Sequence, residues 1–187
     1  MLARGYGATP LDRVCETAGV SKGAAFYHFD TKEAMAQAAV ERFFERLVTE
    51  GREALRAGGA ATATARLFAY VDAVAALTRT PALARGCLLG MVTMECAETS
   101  PQIARAAATG FEQWRAGVAE LIEDAVAEQG QDLDASGLAA AFVAAVEGGL
   151  LLDRHPGARD AVGAAIAHFR RYLAMALQQE GDVEHER

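Results

Sequence analysis

The sequence predicts an all-α fold, and three observations carry that expectation. Alanine recurs along the whole chain while aromatic residues make up only 7%; alanine is the strongest helix former and a poor strand residue. Apolar residues return at steps of three and four through successive segments, with no strand alternation of useful length. Capping residues, glycines and prolines punctuate those segments at helix-length intervals. With 187 residues, 52% of them hydrophobic and 23% charged, the chain suits one compact domain or a small module joined to a larger one, and general disorder is excluded.

The first helix opens at Thr9-Pro10-Leu11-Asp12. Thr9 suits the cap, Pro10 the first position, and Asp12 the positive first turn. It runs to about Ala18 and stops at Gly19, a natural left-handed residue. Ser21 caps a second, short helix from Lys22 to about His28. Asp30-Thr31 break it, and Thr31 caps a third, whose apolar face holds Met35, Ala39, Val40, Phe43 and Leu47. Gly51 and Gly58-Gly59 mark a joint, so the expected division is a head at 1–50 and a body at 51–187.

In the body, Leu67, Val71 and Val74 repeat at helical spacing until Thr80-Pro81, and residues 84–97 read as another helix. Ser100-Pro101 starts a long one carrying Ile103, Ala107, Phe111, Trp114, Val118, Leu121 and Ala125, closed by Gly130. Asp134 or Ser136 opens the next, with Leu138, Phe142, Val146 and Leu150 inward. His155-Pro156-Gly157 is a turn, and the last helix turns Val162, Ile166, Phe169 and Leu173 to one face. Glu180–Arg187 reads as a polar, frayed tail.

Residues 9–32 hold the functional constellation. A helix, a three-residue turn with glycine first and a second short helix form a helix-turn-helix. Gly19 takes the positive φ, Val20 plugs the angle between the helices and Ser21 caps the second. Lys22, Ala24, Ala25, Tyr27 and His28 lie toward the exposed side. Lys22 can reach phosphate or guanine, Ala25 can offer a methyl to thymine, and Tyr27 and His28 can bond phosphate oxygens. Thr31 and Lys32 begin the next helix, whose N-terminal amides also suit a phosphate. The competing reading is a plain helical corner with Phe26, Tyr27 and Phe29 as core.

Charge supports the first reading. The formal net charge is −7, which argues against coating nucleic acid by bulk charge. Residues 1–58 carry eight basic and eight acidic side chains, however, while residues 59–187 carry ten and seventeen. Both lysines, Lys22 and Lys32, are in the head. A neutral head on an acidic body presents only the head to a polyanion.

The string Gly5-Tyr6-x-x-Thr9, Ala18-Gly19-Val20-Ser21-Lys22-Gly23, Phe26-x-x-Phe29 and Lys32-Glu33-Ala34 resembles the DNA-binding head of the TetR family of transcriptional repressors. The helical remainder is similar to that family's ligand-binding and dimerisation body. The resemblance implies a homodimer that binds a palindromic double-stranded operator through two heads and is released by a small-molecule effector. By position it implies DNA contacts from Thr9, Lys22, Tyr27, His28 and Lys32, with Ser21 at the helix start and Ala24 and Ala25 as small groove-facing residues. Phe26 stands where the family often has tyrosine, so one phosphate contact is missing, and Tyr27 is the replacement. The family's first helix normally precedes the Gly-Tyr pair, and Met1-Leu2-Ala3-Arg4 matches only its last turn. Without it, part of the face containing Val40, Phe43 and Phe44 lacks cover. The expectation is a native start upstream of Met1; the alternative is an incomplete head.

For the effector site the candidates are Phe68, Val71, Cys87, Met91, Met94, Glu95, Phe111, Trp114 and Val118. They offer sulfur, aromatic walls and one acid, suited to a mostly apolar small molecule. Each taken singly is an ordinary core residue; as a set, some should line a cavity. Arg85-Gly86-Cys87-Leu88-Leu89-Gly90 resembles a cysteine-bearing segment in a TetR subgroup that represses electrophile-detoxifying reductases, where the cysteine is the sensor. The other reading of Cys87 is a buried small hydrophobe. Cys87 and Cys96 are nine residues apart, which on one straight helix puts them on opposite sides and argues against a shared disulfide or metal. The histidines lack ligand spacing, so no metal and no cofactor is expected.

The last two helices, about 134–154 and 160–178, should dimerise. Ala139-Ala140-Ala141 and Gly148-Gly149 allow close approach, and Leu150, Leu151, Phe169 and Leu173 supply apolar area. There is no phosphate loop, nucleophile elbow or His-Glu-x-x-His motif, so an enzyme is not expected. No apolar run approaches bilayer length and no secretory signal is visible. Three cysteines without framework spacing fit a reducing cytosol, and a cytoplasmic location is expected. The rival to a regulator is an all-α ligand-binding or redox-responsive protein whose incomplete head does not bind DNA.

Overall fold

The computed structural model describes residues 1–155, 157 and 160–178. Pro156 of the expected turn and the expected tail from Glu180 to Arg187 lie outside the described residues. Among the described residues eight helices follow in order: α1 (Leu11–Ala18), α2 (Lys22–His28), α3 (Lys32–Ala57), α4 (Ala63–Thr78), α5 (Leu88–Cys96), α6 (Pro101–Gln129), α7 (Ala135–Leu152) and α8 (Ala161–Gln178). Among the described residues there is no strand.

Three boundaries differ from the sequence expectation, one of them the helix expected over 84–97, which begins only at Leu88. Gly51 does not end the third helix, which continues to Ala57. A helix interior tolerates one glycine at a cost of about 1 kcal/mol, and Gly51 is buried with the Tyr70 ring 3.9 Å from where its Cβ would sit. The α1 cap is Pro10 rather than Thr9, with no side-chain cap bond. Four other helix starts carry side-chain caps. Ser21, Thr62 and Asp134 accept from the backbone N–H three residues on, and Thr31 does the same for Ala34.

The chain divides into two compact units. The first comprises Met1–Val48 and Arg85–Glu112, so α5 and the start of α6 cluster with the helix-turn-helix. Its core includes Cys15, Val40, Leu89, Val92, Cys96, Ile103 and Ala107. Val40 is fully buried, and Phe43 and Phe44 are half-buried. Part of the cover comes from α5 and α6: a Cβ built on Gly110 would lie 2.6 Å from Leu89 Cδ2 and 3.4 Å from the Phe44 ring.

The second unit comprises Thr49–Ala84 and the chain from Gln113 onward. Phe142 is fully buried at its centre. Around it stand Tyr70 at 6.3 Å, Trp114 edge-on at 6.5 Å and Phe169 at 5.2 Å between ring centroids. Trp114 Nε1 donates to the Tyr70 hydroxyl at 2.8 Å, and burial pushes the Tyr70 phenol up to about 12. The α7–α8 pair is drawn tight at Gly149, where a Cβ would overlap the Cα of Val162. Asp153, just past α7, accepts from the N–H groups of Ala161 and Val162 at 2.6 and 3.1 Å and so caps α8. Because backbone rather than a flexible side-chain end fills the space, Gly149→Ala is expected to destabilise this unit by about 1–3 kcal/mol. Denaturant unfolding of the two proteins checks it.

Glu128, at the end of α6, closes the other side of this unit. Its carboxylate accepts from the Ala63 N–H at 3.0 Å, the Thr64 N–H at 2.8 Å and the Thr64 hydroxyl at 2.7 Å, at the positive end of α4. The Thr64 hydroxyl, then these backbone donors, hold its carboxyl below the ordinary value of 4.5. A depressed folded-state pKa contributes stability above the unfolded pKa and loses it as pH falls through the folded one. Wild type should therefore out-melt Glu128→Gln at neutral pH, and the gap should shrink only below about pH 4.5. Paired melts from pH 7 to 3 measure it.

One sequence expectation is corrected. α7 is 18 residues long with Glu147 as its one charged residue, which makes it long and apolar enough to cross a membrane by length and composition. Its alanines and glycines hide that total from a search for bulky apolar runs. In the fold Phe142, Val143, Val146, Gly149 and Leu150 of this helix are buried.

Candidate nucleic-acid interface

α1 ends on Gly19, whose φ of 68° only glycine adopts without strain. The Val20 N–H returns to the Cys15 carbonyl at 3.0 Å, and at the next residue Ser21 Oγ accepts from the Ala24 N–H at 3.1 Å. The chain thus turns between two helices with both ends satisfied. Cys15 of α1 and Ala25 of α2 are buried. Val20, expected to plug the angle, is 46% exposed and does so only partly.

A seven-residue helix with one buried side chain leaves the rest of its surface bare. Lys22, Gly23, Ala24, Phe26, Tyr27 and His28 are all exposed. Tyr27 is 85% exposed, which overturns the reading of that aromatic as core. Its ring meets His28 edge-on at 5.1 Å. Lys22 Nζ pairs with the Asp12 carboxylate on α1, both side chains open to solvent, a contact worth little against a phosphate. The face offers a cation, a phenol, an imidazole and the Ala24 methyl, a set able to bond phosphate oxygens and base edges.

Three residues expected on this face are turned inward. Ala25 is 7% exposed because it is the side chain by which α2 rests on the head, so it offers no methyl to a groove. Thr9 is buried, and its hydroxyl donates to the Gly5 carbonyl. Lys32 donates to the Tyr6 carbonyl at 2.8 Å and stands 4.3 Å over the centre of the Tyr6 ring, a cation–π contact. Ser21, Lys22, Ala24, Tyr27 and His28 remain outward. Phe26, 48% exposed, joins them; its substitution for a polar residue hid its place.

The effector candidates fall into both units. Cys87, Met91, Met94, Glu95 and Phe111 belong to the first; Phe68, Val71, Trp114 and Val118 belong to the second. Cys87 is buried at the cap position of α5. Met94 is 88% exposed, which takes it out of any lining, and Glu95 is engaged with the backbone of Tyr6 and Gly7. Val71 and Val118 are core, Trp114 leans on Phe142, and Phe68 lies under the Arg170 guanidinium at 4.8 Å. Arg170 also grips Asp72, with Nε–Oδ1 at 2.8 Å. Cys96, at the end of α5, is a thiol that burial pushes further up.

A helix-turn-helix with a bare reading helix, carried on an otherwise helical chain, defines a DNA-binding transcriptional regulator. Residues 1–39 match the family model described as bacterial regulatory proteins, tetR family, and residues 63–169 match the tetracyclin repressor-like C-terminal domain; the chain belongs to the TetR family. A solved regulatory protein TetR from Rhodobacter sphaeroides superposes with a TM-score of 0.78 at 24% identity, covering 91% of this chain and 92% of that one. The reduced form of NemR from E. coli superposes at 0.77 with 22% identity, over 91% and 89%. A TetR transcriptional regulator from Chloroflexus aurantiacus does so at 0.75 with 25% identity, over 94% and 87%. The HTH-type transcriptional activator FasR of Mycolicibacterium smegmatis is 40% identical over 53 residues, 28% of this chain and 24% of that protein.

Proposed function

We propose that two copies of this chain bind a palindromic operator through α2 and repress transcription until a small apolar or electrophilic effector releases them. The observation that carries this reading is the outward face of α2, where Tyr27 is bare and Lys22 is held within the head by a solvent-exposed pair with Asp12. Pairing through α7 and α8 is supported by apolar side chains left in solvent: Leu151 at 70%, Leu152 at 61%, Tyr172 and Met175. Ala141, Ala144 and Gly148 are exposed on the same helix as the leucines, and small residues let a second helix approach closely. A two-fold protein then matches a two-fold site. A regulator of genomic DNA works in the cytoplasm.

A mobility-shift titration on the DNA upstream of its own gene cluster tests the reading. Specific retardation supports it, and none at micromolar protein favours the rival that binds ligand alone. The likeness to a named activator makes the sign of regulation the readout of a promoter–reporter fusion: higher expression without the protein means repression. For the effector, Cys87→Ser is expected to abolish electrophile-induced release of DNA if its thiolate is the sensor. Retained release moves the signal to a reversibly bound ligand.

A further inference from the structure

The segment just ahead of α1 is gripped from α5. The Glu95 carboxylate accepts from the Tyr6 N–H and the Gly7 N–H, both at 2.7 Å. The flanking glycines make the space for it. Gly5 has a φ of 84° and a Cβ there would sit 2.5 Å from Glu95 Oε2; a Cβ on Gly7 would sit 3.1 Å from Oε1. The rest of the segment is pinned by its neighbours. Lys32 and the Thr9 N–H both donate to the Tyr6 carbonyl, at 2.8 and 3.2 Å. The Thr9 hydroxyl holds the Gly5 carbonyl. Pro10 and α1 follow directly.

Resting on the DNA-binding reading, the geometry points to Glu95 as a positioning residue: by holding the Tyr6 and Gly7 amides it fixes the segment that launches α1, and with it the pose of α1 and α2. It touches no DNA. Two charge-assisted bonds to adjacent backbone amides define an orientation as well as an energy, so a surface charge elsewhere on α5 does not replace them.

The test uses the duplex that wild type selects from a random pool. Glu95→Ala is expected to bind it about tenfold more weakly at a temperature well below melting, because the segment must now be ordered at the moment of binding. Hydrogen exchange should quicken at residues 6 and 7 with the melting temperature nearly unchanged. Glu95→Gln, which keeps one acceptor oxygen, should fall between the two. Wild-type affinity in Glu95→Ala overturns the assignment, whatever the exchange shows. So does a loss of affinity accompanied by a matching fall in melting temperature and faster exchange throughout the unit, the mark of a merely structural role. A wild type that selects no duplex overturns the DNA-binding reading itself, an outcome that does not depend on residue 95.

Discussion

Alanine at both Lys22 and Tyr27 is expected to weaken binding to the selected duplex by about 10- to 100-fold and to lower the slope of log K against log salt by about two in a dimer. The slope follows from counterion release: each lysine that neutralises a phosphate contributes about 0.9, and a dimer presents two. Lys22 is suited to that part because its side chain is 58% exposed and its ion-pair partner, Asp12, is itself in solvent. Tyr27 contributes affinity without charge, through its phenol. Lys32→Ala is the informative control. Its ammonium is spent on the Tyr6 carbonyl and ring, so affinity should fall with the slope unchanged. A slope that drops for Lys32 and holds for Lys22 would reverse the two assignments.

Placing glutamate at both Leu151 and Leu152 should convert the dimer to monomers and lower operator affinity by about 100-fold or more. Both side chains lie in solvent in the single chain, so the charges cost the fold little; buried between two copies, four unpaired carboxylates are expensive. Tethering two heads is what turns weak half-site binding into tight operator binding, so separating them removes that gain without touching α2. Sedimentation velocity and circular dichroism on the same sample decide the matter. A dimer that persists with unchanged helicity moves the interface elsewhere.

The helices and the turn were legible because each is written in neighbouring residues: Gly19 and Ser21 for the turn, Asp134 for the start of α7, periodic Leu and Val for the inward faces. Inward and outward were harder within α2. Seven residues make barely two turns, and small Ala24 and Ala25 differ by one step, so composition does not say which rests on the head. Thr9 and Lys32 sit elsewhere than expected for a related reason. Both are residue types that bind phosphate well, and both find a backbone carbonyl first. Glu95 was unreadable as a head residue because its partners are 88 and 89 positions away; as one acid among apolar neighbours on α5 it looked like the polar group of a pocket.

The inward turn of Lys32 bears on how this protein should be handled at the bench. Lys22 and Lys32 are the chain's two lysines, and one of them has its nitrogen against Tyr6. Amine-reactive dyes, biotin esters and formaldehyde therefore find Lys22 as their readiest side-chain target, at the edge of the surface assigned to the operator. Tethering the protein to a sensor chip through Lys22 is expected to block the face proposed to meet DNA, and a fluorescent tag for titrations belongs elsewhere on the molecule.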